Sequence, residues 1–384
     1  MINVFQPSLG VDEAEAVASV FTSNWLGHGQ RTQEFESAFG EHLGVGAEHL
    51  MFISSATAGL FLAARLLDLG PGDDVVMPTI SFVSAANAVA DSGARPVFCD
   101  VDPHSLNPRV ADVEQALTPR TRAVFLLHYG GHPGEVAAIA QLCRDRGVSL
   151  VEDAACAVAS RSGGQACGTF GDIAMWSFDS MKTLVTGDGG MLYVRDAAMA
   201  ERARYVAYHG LRRGSGFSSA RVSGRWWELD VTEFGWRVLG NDVTAAIGCV
   251  QLAKLPSNIA RRREVAQAYD RLLDGMAGVR LPPPLPERDE NSHYFYWVQL
   301  DPAIRDQVAA DLLDNDIYTT FRYPPLHKVP AYQSGGEFPD AEWAAESTLL
   351  LPMHQALTDS DVQQVCTTLS TSVTGRQAGD EARI

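Results

Sequence analysis

The chain has 384 residues, 46% of them hydrophobic and 20% charged, which is ordinary for a globular protein with a large core and two or three domains' worth of length. Its formal net charge of −17 argues against nucleic acid and anionic membrane surfaces as partners, since both reward basic patches. No apolar run approaches the roughly 18 residues of a membrane span, and Met1-Ile2-Asn3-Val4-Phe5-Gln6-Pro7 lacks the basic-then-apolar pattern of a signal peptide.

Between residues 45 and 195 short apolar runs alternate with amphipathic stretches. The runs are Leu50 to Ser54, Asp74 to Pro78, Pro96 to Asp100, Ala123 to His128, Ser149 to Glu152, Ile173 to Phe178 and Gly190 to Val194. Helical patterns lie between them, as over Ala56 to Leu69, Ser81 to Ser92 and Pro133 to Arg146. Continuously apolar strands are strands covered on both faces, so this alternation predicts an α/β fold with a mostly parallel central sheet. Ligands on such sheets gather at the carboxyl ends of the strands, where Ser54-Ser55, Glu152-Asp153 and Ser177-Phe178 lie.

Residues 209 to 234 are rich in Gly, Ser, Arg and Trp and too long for an ordinary connection, which points to a functional excursion. A helical pattern follows from Asn241 to about Met276, with Pro256 expected to kink it. Pro282-Pro283-Pro284-Leu285-Pro286 reads as an extended connection. The expected organisation is a large α/β domain over 1–250 and a smaller α+β domain over 251–372, with the N-terminal segment free to pack on the latter. The polar tail, 373–384, reads as disordered.

The six cysteines are scattered without a C-x-x-C pair and fit small buried hydrophobes in a reducing cytoplasm. The ten histidines form no H-E-x-x-H, so a zinc enzyme is disfavoured. Neither G-x-x-x-x-G-K-[ST] nor G-x-G-x-x-G is present, which removes a P-loop and a dinucleotide fingerprint.

One constellation carries chemistry. Val151-Glu152-Asp153-Ala154-Ala155 ends one strand, Trp176-Ser177-Phe178 ends another, Lys182 follows, and then comes Thr186-Gly187-Asp188-Gly189-Gly190. An acid and a lysine at adjoining strand ends suit pyridoxal phosphate, which needs a lysine to hold its aldehyde as a Schiff base and an acid facing its pyridine nitrogen. Lys182 would hold the aldehyde and then move the proton, Asp153 would keep the ring nitrogen charged, and Glu152, alternating to the other side, would be structural. Ser55-Ala56-Thr57-Ala58-Gly59 turns from strand to helix and offers amides to a phosphate, with Ser177 adding a hydroxyl. A simple N-cap would explain the same serine-rich turn. Phe82, just past a strand end, would stack on the ring or serve as core.

With Trp25-Leu26-Gly27-His28-Gly29, Pro71-Gly72-Asp73-Asp74-Val75-Val76-Met77-Pro78, Asn241-Asp242-Val243-Thr244-Ala245-Ala246-Ile247-Gly248 and Tyr323-Pro324-Pro325-Leu326-His327, these stretches resemble the DegT/StrS group of pyridoxal phosphate-dependent sugar aminotransferases over nearly the whole chain. The resemblance implies the fold-type I aminotransferase fold, a homodimer with active sites shared across its interface, and amino transfer, usually from glutamate, to a keto-sugar on a nucleotide. By the same resemblance Lys182 matches the Schiff-base lysine and Asp153 the pyridine partner, while Ala56, Thr57 and Ser177 match the phosphate cradle and Phe82 the stacking aromatic.

Two positions depart from the family pattern. Cys156 stands where Gln or His usually touches the cofactor's phenolic oxygen, and Leu239 stands where an Asn usually reaches the neighbouring subunit's phosphate; Arg237 or Asn241 is expected to substitute. Arg322, Tyr323 and His327 are expected at the sugar or its diphosphate, and Arg213, Arg221 and Arg225 could neutralise the latter. The implied reaction passes through pyridoxamine phosphate, and the resemblance leans to a 4-keto-6-deoxyhexose on dTDP or UDP as acceptor. A 3-keto-sugar enzyme and a cyclitol aminotransferase using glutamine stay open. A sugar dehydratase of this fold carries histidine in place of Lys182, and a binding protein that had lost activity would not need the lysine and the acid together.

Overall fold

The structure is a computed structural model that describes residues 1–212, 225, 227–332 and 334–381. Seven strands form the central sheet: β1 (Leu50–Ile53), β2 (Asp74–Pro78), β3 (Arg95–Cys99), β4 (Thr121–Leu127), β5 (Ser149–Asp153), β8 (Ile173–Ser177) and β9 (Gly190–Val194). The short β6 (Arg161–Ser162) and β7 (Gln165–Ala166) pair as a hairpin between β5 and β8. The sheet order is β1-β9-β8-β5-β4-β2-β3; β9 runs antiparallel to both neighbours and every other pair is parallel.

Each strand alternates its side chains between two cores, as the two-residue period requires. In β8, Ile173 and Met175 enter one cluster while Ala174 and Trp176 enter the other. Helices α3 (Ala56–Leu66), α4 (Val83–Asp91) and α7 (Ala197–Val206) cover the first face. The opposite face is covered by α2 (Gln30–Leu43), α5 (Val110–Ala116), α6 (Val136–Arg146) and the start of α8 (Asp242–Leu273). The expected α/β architecture is therefore present, with sheet strands starting and ending within about two residues of the apolar runs.

A second, smaller body pairs β10 (Tyr296–Gln299) with β11 (Thr348–Leu351) and packs them on α9 (Pro302–Asp314), α11 (Asp359–Glu381) and the later turns of α8, through Tyr269, Val298, Leu312, Leu349 and Leu369. Residue 250 falls inside α8, which carries Pro256 within one continuous helix, so the two bodies share a helix instead of meeting at a linker. Helix α11 runs past residue 372 and buries Val373, unlike the disordered tail expected there: its apolar positions find the small-body core. At the other end Ile2 pairs with Ile317, and the Met353 amide donates to the Val4 carbonyl (3.0 Å).

Glu152 is the tightest polar knot. Its fully buried carboxylate accepts from His128 Nε2 (2.9 Å) and from the amides of Gly168 (2.7 Å), Phe170 (2.7 Å) and Gly171 (2.6 Å). The structural role read for Glu152 from alternation is what the fold uses. We expect Glu152→Gln to destabilise the fold by about 2–4 kcal/mol, because an amide NH2 would confront backbone N–H donors. Chemical denaturation checks this, and a loss within 0.5 kcal/mol, the usual range of a surface change, would contradict it.

Candidate active site

The carboxyl ends of β5 and β8 open onto the amino end of α3, and the cavity between them is lined by Ser55, Ala56, Thr57, Phe82, Asp153, Ser177, Lys182, Tyr294, Arg322 and Tyr323, among others. It encloses about 790 Å³ of empty space, part of it open to solvent. Ser55 caps α3, its Oγ accepting from the Ala58 amide (3.1 Å). The cap leaves the first-turn amides of Ala56 and Thr57 without an intrahelical acceptor at the positive end of the helix.

Glycine makes that approach possible. A Cβ on Gly190 would come within 2.7 Å of the Ala56 nitrogen and 2.8 Å of the Trp176 carbonyl oxygen, both fixed backbone atoms. Gly187 turns the chain back toward β9 with a φ of +93°, in the left-handed region that favours glycine. The expected glycine turn is thus needed for two separate reasons, conformation at Gly187 and space at Gly190.

Asp153 is buried, and the Ala155 amide donates to its Oδ1 at 3.1 Å. Burial raises its pKa, against the Ala155 hydrogen bond and the charge of Lys182; a cation facing it would hold it as the carboxylate. Lys182 reaches in from the turn after β8, its Nζ 3.9 Å from Cys156 Sγ and 4.5 Å from the centre of the Tyr294 ring. Burial opposes the Lys182 ammonium, but Cys156, Tyr294 and Asp153 outweigh it and raise its pKa. The Cys156 thiol is itself pushed up by burial.

Phe82 and Tyr323 form an aromatic wall, ring centres 5.3 Å apart and tilted by 54°. Tyr294 was not read from the sequence as a site residue. It comes from the small body, far along the chain from Lys182, and no local pattern marks it.

The model of the DegT/DnrJ/EryC1/StrS aminotransferase family matches residues 7–370. The chain belongs to that family. It is 61% identical over 365 residues to a Saccharopolyspora spinosa protein named dTDP-4-dehydro-2,3,6-trideoxy-D-glucose 4-aminotransferase, covering 95% of each chain. It is 33% identical to the spore coat polysaccharide biosynthesis protein SpsC of Bacillus subtilis, covering 94% of each. Among solved structures it is similar to the aminotransferase TlmJ from Streptoalloteichus hindustanus, with 57% identity, a TM-score of 0.94 and coverage of 98% of this chain and 99% of that one.

Its fold is that of the fold-type I aminotransferases, and its cofactor is pyridoxal phosphate. The residues present fit that group. Ala56, Thr57 and Ser177 line one side of the cavity, with the Ala56 nitrogen packed so closely on Gly190 that a Cβ there would displace it, Asp153 has no ion-pair partner among the described residues, and Lys182 lines the same cavity.

Four of the expected site residues do not line this cavity. Cys156 lies behind Lys182 and does not line the cavity. His327 does not line it either: its Nδ1 pairs with Thr79 Oγ1 (2.7 Å) and its Nε2 lies 3.2 Å from Glu342 Oε1, so it braces the segment that carries Arg322 and Tyr323. Arg237 and Asn241 line a separate surface cavity with Trp25 and Tyr208. Asn241 is occupied as the cap of α8, accepting from the Thr244 amide (3.1 Å), whereas Arg237 lies over the Tyr208 ring (5.7 Å). Arg213 and Arg221 lie outside the described residues, and Arg225 pairs with Glu228 (2.9 Å).

Gly190→Ala should weaken cofactor binding by roughly 10- to 100-fold, since about 1–3 kcal/mol of overpacking falls on the phosphate cradle itself. Absorbance titration with pyridoxal phosphate measures it, and unchanged affinity would show that the cradle lies elsewhere.

Proposed function

We propose that this enzyme moves the amino group of L-glutamate to the keto carbon of a dTDP-linked 4-keto-6-deoxyhexose, with a sugar also lacking the 2- and 3-hydroxyls as the first acceptor to test. The observation that carries this reading is Lys182 set between Asp153 and the α3 amides in one cavity. The nature of the acceptor is supported by the name of the Saccharopolyspora spinosa relative. An apolar lining of Leu60, Phe82, Leu127 and Met181 suits a sugar poor in hydroxyls.

When bound, the cofactor serves as the electron sink for the bond breaking at the donor's α-carbon. The protein's own groups do the rest. Lys182 would take the proton from the donor's α-carbon and return it at the cofactor's aldehyde carbon, two atoms along, and do the reverse for the sugar. Asp153 holds the ring nitrogen's proton, and Phe82 with Tyr323 keeps water from one side. The exchange is ping-pong: the keto acid leaves before the sugar enters.

The cofactor-loaded protein should convert the dTDP-keto-sugar and L-glutamate to an amino-sugar nucleotide and 2-oxoglutarate, seen by mass spectrometry. Lys182→Ala should lose covalent cofactor and slow turnover by roughly 10²–10⁴-fold or more. Wild-type turnover in that variant, or amination of scyllo-inosose in preference to the sugar, sinks the reading.

The reading includes a homodimer in which Arg237 meets the cofactor phosphate of the neighbouring subunit. Its support is the exposed apolar surface beside Arg237, where Trp25, Phe234 and Trp236 are 59%, 89% and 43% accessible. Arg237→Ala should lower cofactor affinity about tenfold or more, as loss of a charge-assisted contact. Asn241→Ala should instead cost about 1 kcal/mol of stability as a lost helix cap. Titration and melting curves of both variants separate the two, and equal cofactor affinity in Arg237→Ala and wild type would exclude Arg237.

A further inference from the structure

Arg322 carries a positive charge with no counter-ion among the described residues. It lines the same cavity as Lys182, half-buried, and among the described residues no carboxylate lies within ion-pair distance of its guanidinium. Its neighbours hold it without neutralising it. The guanidinium lies over the ring of Phe5 (5.1 Å from its centre), and its Nη2 is 3.9 Å from Met181 Sδ. Phe5 in turn stacks on Tyr294 (5.4 Å, 12°), whose ring faces Lys182 Nζ. The Tyr129 hydroxyl donates to the Arg322 carbonyl and fixes the backbone beneath it. Burial raises the pKa of Tyr294 while Lys182 and Arg322 both pull it back, so one phenol lies within electrostatic reach of both cations.

Three anions have to be accommodated, and their chemistry separates them. The cofactor's phosphate has the α3 amides and Ser177. The diphosphate of a nucleotide sugar is attached at C1, across the ring from a carbonyl at C4. Only an amino acid carries an anion one bond from the carbon that reacts at Lys182. A planar guanidinium beside the reaction centre, preorganised on apolar supports, matches a carboxylate in just that place.

We propose that Arg322 is the anchor for the α-carboxylate of the amino donor, a substrate-binding residue of the first half-reaction rather than a sugar or diphosphate contact. This rests on the aminotransferase reading of the cavity. It also explains how one pocket serves two unlike substrates: the guanidinium pairs with the donor carboxylate in the first half-reaction and stays against Phe5, away from the sugar, in the second.

The test follows the visible band of the cofactor-loaded enzyme, one half-reaction at a time. In Arg322→Gln the half-saturating concentration of L-glutamate should rise at least about thirtyfold, the low end for stripping a buried charge partner. Arg322→Lys should recover part of that loss. In the amino form of either variant the half-saturating concentration of the keto-sugar should change less than about threefold, below 0.7 kcal/mol. Binding without turnover is read with 2-methyl-L-glutamate, which has the carboxylate but no α-proton and should weaken in parallel. L-Glutamic acid α-amide should bind wild type as poorly as glutamate binds Arg322→Gln, with little further loss in the variant. Equal donor affinity in wild type and Arg322→Gln overturns the proposal, as does a loss confined to the sugar half-reaction. A wild-type band unmoved by any amino acid overturns instead the aminotransferase reading, and this proposal with it.

Discussion

Everything at this site depends on a carboxylate that takes no part in the chemistry. Glu152 gathers four donors from β4's end and from the turn between β7 and β8, and thereby fixes how β5 lies against β8. Its register sets Asp153 opposite Met175, two residues before Ser177 on β8. Adjacent residues on a strand face opposite ways. Once Glu152 is tied down on one side, Asp153 has to face the cavity on the other. One acid is saturated with hydrogen bonds and the other keeps a single amide, which is the difference between a structural carboxylate and one free to hold a proton on a ligand.

The same economy governs charge. The chain is acidic by 17 formal charges, yet its cavity concentrates Lys182, Arg322 and the positive end of α3. Asp153, Asp179 and Asp188 also line it, of which Asp188 is exposed and screened by water while Asp179 is half-buried like the two cations. The net charge therefore does not dictate what its interior receives.

Much of this was legible in the residues. The apolar runs located the sheet because a strand covered on both faces has no polar side to show, and Lys182, Asp153, Ala56, Thr57, Ser177 and Phe82 all meet because strand ends and helix starts are local features. What depends on long-range packing was not legible. Tyr294 and Phe5 reach the site through the small body and the N-terminal segment. His327 sits in a conspicuous motif but is claimed by Thr79 and Glu342, partners remote in sequence. A helix shared by two cores gives no sequence break at residue 250, and a helix with few apolar positions, like the one past residue 372, looks polar until its partner surface is known.

The position of Phe5 has a consequence for how the site comes into being. Phe5 leaves the ribosome 289 residues before Tyr294 and 317 before Arg322, the groups it supports. At translation rates of about 5–20 residues per second, that is roughly 15–60 s during which an apolar N-terminal segment has no binding surface of its own. Everything from α3 to β9, Lys182 included, is made in that interval, but Arg322 is not. The residues of the cradle are therefore all synthesised before the cation that stands beside them.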